Sequence, residues 1–132
     1  MRRSAITCFF ASLALATLGA LIDSRSHPSL VAQPAINSAG IMPVHRDAEI
    51  FASIHNSTSR PIRLLGACNY CSPDGCMRTR ALPATIPPHS SLRIVVTARA
   101  MLPGRFAKSL TVYTDAPDQP TIDLKICGIA RS

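Results

Sequence analysis

At 132 residues the chain has room for one domain of ordinary size. Hydrophobic residues make up 47% of it, but part of that share is a single N-terminal block, and eleven prolines spread along the chain argue against long helices. Lys and Arg outnumber Asp and Glu by 7, almost entirely through Arg; that surplus favours anionic surfaces or polymers but fixes no fold.

Residues 1–22 read as a signal peptide or membrane anchor. Arg2 and Arg3 precede an uncharged run from Ala5 to Ile22, the pattern of an export signal, and that run is also just long enough to span a bilayer uncleaved. Leu18-Gly19-Ala20 and Leu30-Val31-Ala32 offer small-residue cleavage sites, and Cys8 lies inside the block. Residues 23–40, broken by Pro28, Pro34 and Gly40, read as a polar linker, and 41–132 as the folded domain.

Within that domain, strand signals recur at short intervals. Ile41 to Val44 suits an edge strand. Ile50, Ala52 and Ile54 alternate with Glu49, Ser53 and His55, with Phe51 breaking the pattern. After the turn at Asn56–Arg60, Ile62, Leu64 and Gly66 share one face, and Cys68 has their parity. Leu92, Ile94, Val96 and Ala98 form the clearest inward set. Phe106, Leu110 and Val112 follow, then Ile122, Leu124 and Ile126, with turns at Pro103-Gly104 and Ala116–Pro120. The spacing predicts an all-β, antiparallel sandwich of about seven strands.

The run from Ala52 to Leu64, a strand, an Asn, a turn and then Pro61-Ile62, resembles the immunoglobulin-like domains of the hydin and major-sperm-protein type. It is most similar to an uncharacterised group of such domains in exported bacterial proteins. The group's cysteine segment after the second strand matches Gly66–Cys71, and its Pro-Gly-x-Phe matches Pro103–Phe106. Its Tyr-Thr-Asp matches Tyr113–Asp115, and its final Gly matches Gly128. Its Ile-Pro-Pro-Gly turn appears as Ile86-Pro87-Pro88-His89, with His89 in the glycine's place. The resemblance covers residues 40–130. It implies the immunoglobulin-like fold and an exported setting, and no characterised activity.

Four cysteines follow the leader: Cys68, Cys71, Cys76 and Cys127. In an oxidising compartment they are expected to form two disulfides of unknown pairing. If the strands from Pro61, Phe106 and Thr121 lie side by side, Cys127 is expected to reach one member of the cluster while the other two pair locally. Such a long-range bridge would add about 4 kcal/mol. The alternative is a metal-binding or thiol-redox protein using the same four residues, with Cys68 and Cys71 as the redox pair.

No enzyme is expected. His27, His45, His55 and His89 are scattered, and no nucleophile, phosphate or metalloprotease motif is present. Arg63, Arg78, Arg80, Arg93 and Arg99 are candidates for an anionic-surface face, against the plainer reading that they are solvated strand positions. Scarce aromatics argue against nucleic acid. Asn56-Ser57-Thr58 fits a glycosylation sequon or simply a polar turn. The sequence therefore points to an exported, periplasmic or extracellular, non-catalytic module that needs no cofactor. Its expected partner is another envelope protein, and it would touch membrane only through residues 5–22 if uncleaved.

Overall fold

The computed structural model describes residues 27–132, and the expected leader at 1–22 lies outside them. Ten strands follow in order: β1 Leu30–Gln33, β2 Ile36–Pro43, β3 Asp47–Asn56, β4 Ile62–Ala67, β5 Tyr70–Ser72, β6 Gly75–Thr79, β7 Ala84–Ile86, β8 Ser91–Ala100, β9 Gly104–Thr114 and β10 Thr121–Arg131. They form two five-stranded sheets, one ordered β1-β3-β8-β6-β5 and the other β2-β10-β9-β4-β7. The expected β-sandwich is present, with ten strands rather than about seven, since β1 and the short β5 and β6 form in stretches expected as linker and loop.

The core lies between the sheets and follows from the alternation. Ile50, Ala52 and Ile54 of β3 and Ile94, Val96 and Ala98 of β8 face Leu64 of β4, Leu110 and Val112 of β9, and Leu124 and Ile126 of β10, all buried. Fully burying one such aliphatic chain is worth about 2 kcal/mol, so the core relies on number rather than on large rings. Phe106 is the one buried aromatic among the described residues.

Two expectations about organisation change. The stretch to residue 40, expected as linker, instead supplies β1 and most of β2, so the sandwich begins before residue 41. Its prolines sit between or beside the strands: Pro34 separates β1 from β2 and lets the chain pass from one sheet to the other. Gln119 secures β1 by accepting from Leu30 N–H at 2.9 Å and donating to Leu30 C=O at 3.0 Å. Leu30–Ala32 lies within β1, so cleavage there would remove part of the fold. Nor is the sandwich wholly antiparallel, because β2 pairs with β10 in parallel.

The expected neighbours β4, β9 and β10 do lie side by side. A bulge between Leu64 and Gly66 shifts the phase of β4. Ala67 therefore turns to the core side opposite Val112, and Cys68 turns outward instead of inward.

Candidate functional site

The distinctive local feature is the β5–β6 hairpin. Pro73 and Asp74 form its turn, and Ser72 pairs with Gly75, Cys71 with Cys76 and Tyr70 with Met77. A disulfide joins Cys71 to Cys76 across the pair. Gly75 permits the hairpin to seat on the sandwich: a Cβ there would lie 2.6 Å from Arg99 O and 2.7 Å from Phe106 Cε2.

Lys108 holds the hairpin from below. It lies on the core-facing side of β9 between Phe106 and Leu110, and its side chain is only 9% exposed. Its stem runs to the sandwich edge, where Nζ donates to Ser72 Oγ at 2.7 Å and Asp74 Oδ1 at 2.8 Å. The Tyr70 ring centroid is 5.4 Å from Nζ. Asp74 also accepts from Ser72 Oγ. These bonds, Lys108 first, hold the Asp74 carboxyl at about 2.

Above the hairpin, one row of residues crosses four strands on the outer wall of the first sheet. Cys71 pairs with Cys76, Cys76 with Arg99, and Arg99 with Asp47. Asp47 is the centre of charge in this row: Arg99 Nε donates to Oδ1 at 2.7 Å and Arg78 Nη2 to Oδ2 at 2.8 Å. The disulfide, both arginines and Asn69 line a cavity of about 170 Å³. A wider groove of about 550 Å³ continues past Arg80 and Glu49 over Val95.

The five arginines divide. Arg78, Arg80, Arg93 and Arg99 belong to the first-sheet side, while Arg63 lies on β4 of the other sheet. Arg93 stacks 3.8 Å above the Phe51 ring, which explains the apolar residue at that outward position. Four guanidiniums against Asp47 and Glu49 leave this wall positive, though less so than the sequence suggests.

The cysteines also divide. The local pair exists, but Cys127 bonds to no member of the cluster, and Cys68 and Cys127 are both free thiols. The reason is register. Cys68 N–H bonds to Thr111 O on one side of β9, whereas Cys127 lies opposite Ala107 on the other. Four residues of strand and two strand spacings put their Cα atoms about 16 Å apart, beyond the reach of about 7 Å that a disulfide allows. Both lie on the side of the second sheet, and Cys68, though only three residues before Cys71, is not bonded to it. The four sulfurs therefore do not converge as a tetrathiolate set, and Cys71 is committed to Cys76 rather than to a redox pair with Cys68.

Of the histidines, His55 Nδ1 pairs with Ser91 Oγ at 2.9 Å, and the His45 N–H donates to Ala100 O at 2.8 Å. Asn56 is fully buried, with its amide donating to Arg60, Ile86 and Pro87 carbonyls, so the folded domain leaves no room for a glycan there. Sequence reasoning missed Asp47, Asp74 and Lys108. For Lys108 a signal existed, a lysine at core parity between Phe106 and Leu110.

No protein-family model matches the chain, and no curated protein does. Solved structures do. A PapD-like domain of human CEP192 superposes with a TM-score of 0.62 at 10% identity, covering 84% of this chain and 93% of that one. WR4, a major-sperm-protein family member of Caenorhabditis elegans, gives 0.51 at 9% identity over 80% of this chain and 100% of that one. The fold is the immunoglobulin-like sandwich of the major-sperm-protein and PapD-like domains. The Vibrio cholerae VesB protease matches at 0.58 and 13% identity, over 76% of this chain but only 32% of that protein. At these identities the likeness extends to the fold alone.

Proposed function

We propose that the chain is an exported, non-catalytic immunoglobulin-like module of the cell envelope that binds another envelope protein through its stapled hairpin edge. The observation that carries this reading is the rigidity of an exposed edge. The β5–β6 hairpin is fixed by a disulfide, by Lys108 and by pairing to β8, yet it presents Tyr70 at 49% exposure on its inner face and Arg78 and Arg99 beside its outer face. Pre-ordered Tyr and Arg side chains lose little entropy on contact and dominate protein interfaces. The positive wall on the arginine side of this edge favours a partner with an acidic face. The leader-like residues 1–22 support export, which in turn suits disulfide formation.

Site-specific photo-crosslinking in the native cell tests this. A crosslinker replacing Tyr70 should trap one dominant envelope protein, while the same group replacing Tyr113 on the opposite wall should not. Recovery of the chain in the cytoplasmic fraction, or identical products from both positions, would overturn the proposal.

A further inference from the structure

We propose that Cys71–Cys76 is an exchangeable disulfide, built to form a mixed disulfide at Cys71 with a negatively charged thiol. It shares a surface with the proposed protein contact but does not depend on it, since small thiols alone can show it.

The two sulfurs occupy different settings. Cys71 is exposed on the edge strand β5, with no neighbouring strand on its far side among the described residues. Cys76 is half-buried on β6, directly opposite Arg99 and two residues from Arg78 on the same face. Both guanidiniums line the cavity that the disulfide opens into. Exchange requires an open path to one sulfur and a stabilised departing thiolate at the other. The geometry assigns those roles to Cys71 and Cys76 respectively.

The step balances with a thiol as the only co-reactant. The incoming thiolate sulfur attacks Cys71 Sγ, a new S–S bond forms, and the Cys71–Cys76 bond breaks. Its electron pair stays on Cys76 Sγ as a thiolate beside Arg99. Asp47, which binds both arginines, competes with that thiolate for their charge. Cys76 can then attack the mixed disulfide and release the incoming thiol, so capture is reversible. A negatively charged thiol is favoured because the cavity's arginines attract it as it approaches.

The test uses the full chain with Cys8→Ser, Cys68→Ser and Cys127→Ser, leaving one disulfide. Reduction is followed at low salt with glutathione, neutral 2-mercaptoethanol and cationic cysteamine, each corrected for its thiolate fraction. Glutathione should be fastest and cysteamine slowest. Arg99→Gln should slow glutathione about tenfold and compress that order, while Asp47→Asn should speed it about threefold. Alkylation of the quenched intermediate should map glutathione to Cys71 and the alkyl group to Cys76. A cysteine-containing acidic peptide should outpace its neutral counterpart in the same way. Rates independent of thiol charge and of Arg99, or glutathione mapped to Cys76, would overturn the proposal, and unchanged circular dichroism of the variants removes misfolding as the cause.

Discussion

Lys108 Nζ lies 2.8 Å from Asp74 Oδ1, although Lys108 starts from the core-facing side of β9 and Asp74 sits at the tip of a surface hairpin with 58% of its side chain exposed. The contact fastens the hairpin to the sandwich across the gap between the sheets. Its pH dependence follows from the carboxyl. The Lys108 and Ser72 hydrogen bonds lower Asp74 from its ordinary 3.8 to about 2. A carboxyl depressed on folding stabilises the fold above its unfolded value and loses that contribution as pH falls through the folded value. The hairpin should therefore stay docked above about pH 4 and loosen toward pH 2. Carboxyl NMR should place the Asp74 midpoint near 2, and Lys108→Met should return it toward 3.8. A native midpoint already near the ordinary value would refute the clasp.

Gly75 should tolerate no side chain. The obstacle on one side is backbone, Arg99 O at 2.6 Å, and on the other is the buried Phe106 ring. Neither can move without disturbing β8 or the core. Gly75→Ala should cost about 2 kcal/mol or more in urea unfolding. Gly66→Ala, where a Cβ meets nothing within 4 Å, serves as the matched control and should stay within about 0.5 kcal/mol.

Asn56 should be the most sensitive polar residue in the domain. It donates to Arg60 O at 2.8 Å, Ile86 O at 3.1 Å and Pro87 O at 3.2 Å, while its Oδ1 accepts from Thr58 N–H and Oγ1. One amide thus joins the turn after β3 to the end of β7. Asn56→Ala would strand buried carbonyls and should cost roughly 2–4 kcal/mol. Asn56→Asp should be no better, since a carboxylate cannot donate to three carbonyls. Thermal melts of the two variants decide the matter, and a shift of under a degree or two in Asn56→Ala would refute it.

The longer strands β3, β4, β8, β9 and β10 were legible because one face of each is buried, so period-two alternation fixes register and direction together. Ile94, Val96 and Ala98 show this plainly. Local geometry was not legible where alternation breaks. The bulge after Leu64 leaves no mark in sequence, and it alone reverses the direction of Cys68. β1 and the first part of β2, before Ile41, were hidden for a related reason: both are edge strands, and Pro34, Gly40 and Pro43 there mimic a linker. The disulfide hairpin was half legible. Pro73-Asp74-Gly75 marks a tight turn and places Cys71 opposite Cys76, but the row through Arg99 to Asp47 depends on strand order, which no local pattern encodes.

His89 occupies the left-handed region, with φ of 52°, at the turn where resembling domains place glycine. The backbone geometry is therefore kept and His89 bears its steric cost, about 1 kcal/mol for a residue with a Cβ. Glycine removes that cost but adds freedom to the unfolded chain. His89→Gly should raise stability by roughly 0.5 kcal/mol, and His89→Val, branched at Cβ, should lower it by about 1 kcal/mol or more. Paired urea melts check the order of the three, and Val equal to His would show that the turn does not hold this conformation in solution.

Cys68 and Cys127 should behave as two independent thiols on one wall. Native protein should titrate with two reactive thiols in the described domain, and its mass should sit one pair of hydrogens below the fully reduced chain. Cys68, exposed at the end of β4, should react first, and half-buried Cys127 more slowly. Their separation gives a sharper check. Strand geometry sets their Cα atoms about 16 Å apart on the same outer wall, so a bis-maleimide of about 8 Å should label each without joining them, and one reaching about 16 Å should bridge them within a single molecule. Bridging by the short reagent would mean that β4 and β10 flank β9 in a different register, and the assignment of Cys71 to Cys76 would have to be reconsidered with it.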